Sequence, residues 1–415
     1  MKRLGAVVLV LALLAACSGG EDDGADTTTT TTATTAPTPT TEGAAEVEVF
    51  EGSVDDFYVV PDPLPEGEPG DLIRTQVVGE VDGRASVRVM YHSEDAAGTD
   101  RAVTGIVTYP TAAAPDGGWP VISTAHGTTG VAEQCALSRS ATEAPGWGVE
   151  GVWAMTDYVG QGPVGELHPY LSKPSEGNAV IDAVRAARQL PDAGAGERWV
   201  SIGHSQGGHG ALSAHELAAE RAPELELVGT VALAPAAMLD RVYGGIDPIV
   251  TAILTMMAVV SGVGEHPDID PADYLTPEAL AASSIFETGC LDEITEALIP
   301  IAIAGAFIAD PRETEPAASL VRENDVGEVA IDGVPVYLAS GTVDDRVVID
   351  RVRDLFDRMC SAGQVTELTV IDGADHGSIL PATAEAVTAF IEARLAGEEP
   401  TDSCGADAAG EPTDG

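Results

Sequence analysis

Ser205 stands at the centre of Gly203-His204-Ser205-Gln206-Gly207, between the apolar run Trp199-Val200-Ser201-Ile202 and a small-residue, helix-compatible run that begins at once. A serine flanked by glycines two residues on either side suits a sharp, strained strand-to-helix turn, because strand and helix can then pass without a Cβ clash. On such a turn the Oγ projects above the sheet, and the helix start aims N–H groups and its positive dipole end at the same place. The chemistry expected there is nucleophilic attack on an acyl carbonyl, with the oxyanion held by backbone donors. One donor is expected from the N–H of Gln206. The other is expected from Thr128 or Gly127, in the loop His126-Gly127-Thr128-Thr129-Gly130 that follows an early strand.

A serine nucleophile needs a base and an acid to orient it. Asp344 follows the apolar run Val334 to Ser340 and sits three residues past Gly341, and His376 follows the run Glu367 to Ile371. The order Ser205, Asp344, His376 places each group just beyond a strand, at one edge of a parallel sheet. Asp345 is the nearest rival to Asp344; Asp372 and Asp375 lie too close to His376 in sequence to be its obvious partner. His204, His209 and His215 are read as packing or surface histidines around the elbow helix. No His/Cys/carboxylate spacing suggests a metal and no G-x-G-x-x-G opens a nucleotide-binding unit, so neither metal nor cofactor is expected.

The elements that must position these groups are legible as a rhythm. Short β-rich runs at Thr75–Gly79, Ser86–Tyr91 and Val103–Tyr109, partly antiparallel, precede strands at Pro120–Ala125, Val152–Tyr158, the elbow strand and Val228–Ala234. A helix over Ser175–Leu190 places Val180, Ile181, Val184 and Ala187 on one face. From Pro235 to about Val329 the rhythm breaks into helical sequence with two very apolar runs, Ile249–Val263 and Ile294–Ile308, too short to read as membrane spans. This reads as a cap over the catalytic face, whose apolar side could meet an acyl chain, or else as helices packing among themselves. Helices over Val348–Ser361 and Pro381–Leu395 close the alternation. The expected fold class is α/β: an α/β-hydrolase fold, a mostly parallel sheet with helices on both faces and an inserted helical lid at about 235–329.

The ends of the chain have other compositions. Lys2 and Arg3, the apolar stretch Leu4–Leu14 and Leu14-Ala15-Ala16-Cys17 resemble an export signal ending in a lipobox, so residues 1–17 are expected to direct export and Cys17 to carry lipid. Residues 18–46, with an unbroken Thr27–Thr32, read as a disordered tether between that membrane anchor and a folded domain over 47–404; residues 405–415 read as a flexible tail. The remaining cysteines, Cys135, Cys290, Cys360 and Cys404, are even in number and admit three pairings. Cys135–Cys290 with Cys360–Cys404 is favoured, the latter pinning the polar end to the body. The chain carries 67 acidic and 20 basic residues, a formal charge of −47, which argues against nucleic acid as a partner and reads as a heavily hydrated surface.

From about Phe57 to Leu395 the chain resembles the secretory lipase family of α/β-hydrolases, the lipase A type. The resemblance is carried by Phe57-Tyr58, Pro69-Gly70-Asp71-Leu72-Ile73-Arg74, and Ala125-His126-Gly127-Thr128-Thr129-Gly130 leading to Cys135. It continues through Asp157-Tyr158, His168-Pro169-Tyr170-Leu171, Asp182-Ala183-Val184-Arg185-Ala186-Ala187-Arg188 and Gly203-His204-Ser205-Gln206-Gly207-Gly208. Cys135-Ala136-Leu137-Ser138 departs from it, the family often having Pro after Cys-Ala. The resemblance implies hydrolysis of small-molecule or lipid esters, triacylglycerols included, by Ser205, Asp344 and His376, with a lid after Ala234. It also implies that the lid and the Asp157–His168 loop set substrate choice. The same triad could instead serve a serine peptidase or acyltransferase, and a binding-only surface lipoprotein with an apolar pocket is a third reading.

Overall fold

A computed structural model describes residues 47–163 and 165–405. Cys17, the Thr-rich tether and residues 406–415 lie outside the described residues.

Among the described residues ten strands form one sheet: β1 (Glu48–Val49), β2 (Leu72–Val81), β3 (Arg84–Glu94), β4 (Asp100–Pro110), β5 (Trp119–Ala125), β6 (Val152–Thr156), β7 (Ala195–His204), β8 (Glu226–Leu233), β9 (Val336–Gly341) and β10 (Thr366–Ile371). Their spatial order is β1-β2-β3-β4-β6-β5-β7-β8-β9-β10. β2, β3 and β4 are an antiparallel meander joined antiparallel to β6, and from β6 to β10 every pairing is parallel. The chain leaves β5 toward β6 on one side and leaves β7 toward β8 on the other. The crevice beyond the ends of β5 and β7 is therefore where a doubly wound sheet binds ligands.

The helices are α1 (Val54–Phe57), α2 (Lys173–Gln189), α3 (Gln206–Arg221), α4 (Pro248–Ser261), α5 (Pro277–Ala282), α6 (Leu291–Ala304), α7 (Ala317–Glu323), α8 (Ile349–Ala362) and α9 (Ile379–Ala396). Alternate strand residues face opposite layers. Val121 and Trp199 pack with Val180, Val184 and Ala214 of α2 and α3, while Ile122, Val200 and Ile202 pack with Val387, Phe390 and Ile391 of α9. On the α3 side, α8 adds Val352, Leu355 and Phe356 against Val336 and Leu338. With both faces covered, the parallel strands read as unbroken apolar runs.

Between β8 and β9 the chain leaves the sheet for α4 to α7, of which α4 to α6 build a core of their own from Ile253, Met256, Met257, Phe286, Ile294 and Leu298, with Val131 and Tyr170 from the body beneath. Asp247 caps α4 by accepting from the N–H of Ile249 at 2.8 Å, and Pro248 takes the first helical position. The apolar run expected to reach Ile308 as a helix stops at Ala304 because Gly305 turns out of it with φ 94°. Likewise the strand expected to reach Tyr158 ends at Thr156, and Tyr158 turns the chain with φ 66°. Among the described residues no helix is long and apolar enough to cross a membrane.

Candidate active site

Ser205 follows β7 and precedes α3, with φ 59° and ψ −119°. This is the sparsely populated conformation that a nucleophile elbow imposes. The glycines around it answer close approaches. A Cβ on Gly203 would overlap the Gly207 carbonyl, and a Cβ on Gly207 would overlap the Ala125 carbonyl of β5. β5, β7 and α3 are thereby brought together at the crevice.

Three side chains meet there. His376 Nε2 lies 2.9 Å from Ser205 Oγ, and His376 Nδ1 lies 2.7 Å from Asp344 Oδ2. Asp344 is buried, and its other oxygen accepts from the backbone N–H groups of Arg346 at 2.8 Å and Val347 at 2.9 Å. Those bonds fix the carboxylate's rotamer and leave one oxygen for the imidazole. Asp345 instead lies 3.5 Å from Arg346, and Asp375 accepts from the Gly377 and Ser378 N–H groups. His204 Nε2–H donates to the His376 carbonyl at 2.8 Å, with ring centroids 4.5 Å apart. Burial and the neighbouring His376 push His204 down to about 4, so it is neutral at ordinary pH and steadies the histidine loop.

On the opposite side of Ser205, Gly127 and Thr128 line the same crevice, and a Cβ on Gly127 would come within 3.4 Å of the His204 carbonyl. Thr128 Oγ1 is 2.8 Å from the Tyr170 hydroxyl. The N–H groups of Gln206 and Thr128 donate to no described backbone acceptor. Cys135 is joined to Cys290, tying the loop after β5 to the start of α6, and Cys360 is joined to Cys404. Asp157, buried beneath this loop, accepts from Thr104 Oγ1 at 2.7 Å and from the Ser138 N–H at 2.9 Å.

Sequence reasoning missed the group that holds α3 from behind. Glu176 of α2 is fully buried. One carboxylate oxygen accepts from Gln206 Nε2 at 2.8 Å and the other lies 2.6 Å from His209 Nδ1. His209 Nε2 donates to the Asn324 carbonyl at 2.7 Å, so both ring nitrogens face acceptors and the ring is an imidazolium. Burial alone would neutralise both groups, but each holds the other charged. His209 is raised above its ordinary value, and Glu176 is held down to about 2. His168 Nε2 accepts from Gln206 Nε2 at 2.7 Å, while its ring stacks on Tyr158. A signal for Glu176 did exist: it precedes Val180, Val184 and Ala187 on the apolar stripe of α2.

The crevice opens into a cavity of about 900 Å³ roofed by α4 and α6, with Ile253, Leu254 and Ile299 among its lining. It is large enough for an acyl chain and its alcohol. A serine hydroxyl hydrogen-bonded to a histidine that is itself held by a buried carboxylate, at the mouth of a largely apolar cavity, suits acyl transfer to water.

Comparison with known proteins agrees. A family model described as secretory lipase matches residues 133–403. Lipase 6 of Candida albicans (strain SC5314 / ATCC MYA-2876) is 23% identical over 392 residues, spanning 85% of this chain and 83% of that protein. Among solved structures, Candida antarctica lipase A superposes with a TM-score of 0.71 at 16% identity, covering 85% of this chain and 88% of that one. The rice cell wall degrading esterase LipA from Xanthomonas oryzae gives 0.65 at 16% identity, covering 80% of this chain and all of that one (100%). With the family model spanning well over half of its length, the chain belongs to the secretory lipase family and is a carboxylic ester hydrolase.

Proposed function

We propose that the enzyme hydrolyses carboxylic esters through an acyl-serine formed on Ser205. His376 takes the Ser205 proton as Oγ attacks the ester carbonyl, and Asp344 orients the ring and stabilises its cation. The oxyanion is held by the N–H of Gln206 together with that of Thr128 or Gly127. Collapse of the tetrahedral intermediate expels the alcohol, which takes its proton from His376. The same imidazole then activates water against the acyl-serine. The observation that carries this reading is the hydrogen-bonded line Ser205–His376–Asp344 at 2.9 and 2.7 Å, on an elbow of φ 59°. Hydrolysis of p-nitrophenyl esters of graded acyl length tests it. Ser205→Ala should lower turnover by roughly 10⁴–10⁶-fold with the fold retained; unchanged turnover would sink the assignment. Cleavage of amides but no ester would favour a peptidase on the same triad.

Membership of the family and the two disulfides suit an exported protein. The finer reading is a cell-surface lipoprotein: residues 1–17 direct export, Cys17 carries the lipid, and 18–46 tether a hydrolase domain over 47–404. The α4–α7 segment, about 235–329, serves as the lid. Release of the protein into a membrane-free fraction by Cys17→Ala, with no change in the wild-type's membrane fraction on washing with salt, is the result this reading requires.

A further inference from the structure

The chain has 20 basic residues among 415, yet four of its arginines, Arg241, Arg312, Arg346 and Arg351, line the catalytic cavity. Three have carboxylate neighbours: Arg241 with Asp354 at 2.7 Å, Arg312 with Asp310, and Arg346 with Asp345 at 3.5 Å. Arg351 has none. Its side chain makes no hydrogen bond or ion pair with any described residue, and its Nε is sealed from solvent without a partner. The face of Tyr243 lies against the guanidinium, 5.3 Å from ring centroid to Cζ. Burial lowers its affinity for the proton and Arg312 adds to that, against the opposing pull of Tyr243, Asp325 and Asp344 at longer range.

This placement runs against ordinary electrostatics. A largely enclosed cation is normally paired, and with 67 carboxylates in the chain a counter-ion is the commonest thing available. Arg351 is also the third residue of α8, where the helix's positive end disfavours a cation. Arg312, before α7, and Arg346, just after Asp344, also line the cavity, so two stretches, at 312 and at 346–351, bring positive charge to a lining that elsewhere holds Glu265, Asp292 and Glu296. The carboxylates nearest Arg351 are engaged elsewhere, Asp325 by Arg358 and Asp344 by His376, so a direct partner has to come from what enters.

We propose that Arg351, with Arg312 near it and Arg346 on the same cavity lining, is an anion subsite that takes a carboxylate or phosphate carried by the ester substrate, away from the scissile bond. This rests on the ester-hydrolase reading of the cavity and narrows its substrate class. The planar guanidinium suits either oxyanion in a forked geometry. The acidic surface repels anions in general, so the discrimination is made inside the cavity.

The test compares kcat/KM for two matched pairs at fixed ionic strength. One pair places charge on the acyl side: p-nitrophenyl suberate with a free ω-carboxylate against its ω-carboxamide. The other places it on the alcohol side: a monoacyl glycerophosphate against the monoacylglycerol of the same chain. In at least one pair the anionic-to-neutral ratio should fall ~10- to 100-fold in Arg351→Met, the loss of a charge-assisted hydrogen bond, and Arg351→Lys should keep more of it. The pair that responds identifies the source of the anion. Ratios unchanged in both pairs would overturn the subsite. Should Arg351→Met fail to fold, Arg312→Met and Arg346→Met carry the same comparison from other elements. Binding tests the subsite independently of turnover: by calorimetry, Ser205→Ala should bind octyl phosphate more tightly than octanol, and adding Arg351→Met should abolish the difference. Equal binding of the two ligands would count against the subsite even if the ester-hydrolase reading stands.

Discussion

The strained residue at the centre of the molecule is held by neighbours with opposite protonation requirements. His204 must stay neutral, since a charge there would sit against His376 and its Nε2–H already serves the His376 carbonyl. Its value in the folded protein is about 4, depressed by burial and then by His376, against about 6.5 for an unfolded histidine. Between those values the unfolded chain binds the extra proton and the folded one does not. The contribution is therefore fully present above the unfolded value and is lost as pH falls through the folded one. Urea unfolding measured across this window should show a shallower acid limb for His204→Gln, which cannot titrate, than for the wild type. Parallel limbs would mean that His204 is not held neutral by the fold. The residues of this site were legible to different degrees. Ser205, Asp344 and His376 stood out because each follows a strand and each is a type that seldom sits there without a role. His204 did not, because a histidine beside a serine motif carries no sequence mark of which way its ring turns.

At the scale of elements, α2 and α3 are joined by a buried ion pair, Glu176 with His209, whose far side is closed by the Asn324 carbonyl at the end of α7. Three segments distant in sequence thus meet behind the elbow. Truncating one member leaves the other charged and unpaired in the interior, so Glu176→Gln should cost about 3–5 kcal/mol, read from urea unfolding at neutral pH. A loss below about 1 kcal/mol, the range of surface pairs, would show that the pair is solvated. Turnover should fall as well, because Gln206, the second partner of Glu176, is the residue whose N–H we propose holds the oxyanion. The strand–helix alternation was visible in the sequence because buried parallel strands are apolar along their whole length and α2 is apolar on one stripe. The pairing was not visible: Glu176 falls on that stripe, but periodicity treats glutamate as a residue for solvent and does not name His209 as its partner. The end of α6 was missed for a related reason: hydropathy runs on through Gly305 to Ile308, and only the positive φ at Gly305 stops the helix.

For the whole molecule the decisive quantity is the imbalance of 67 acidic against 20 basic residues. The buried and half-buried ion pairs consume several of the few cations, among them Arg221 and Arg185 on Asp182, Arg101 on Asp95 and Arg358 on Asp325. Most surface carboxylates therefore face one another, and their repulsion weakens the compact state. Added salt acts on the two populations differently. It shortens the screening length from about 10 Å at 0.1 M to about 3 Å at 1 M, which removes repulsion between exposed groups while leaving enclosed pairs nearly intact. Because carboxylates outnumber basic residues 67 to 20, the sign of the net effect is stabilising. Thermal unfolding should move up by about 3 °C between 0.05 and 1 M sodium chloride, on the order of 2 kcal/mol. A Tm that falls with salt would mean that surface ion pairs outweigh the excess of carboxylates. The same screening reaches the cavity from outside. An anionic ester approaching a surface of this charge is repelled at long range and attracted only once it meets Arg351, so its kcat/KM should rise with moderate salt more than that of its neutral partner. The two responses together separate a surface that keeps anions away from a cavity that admits them.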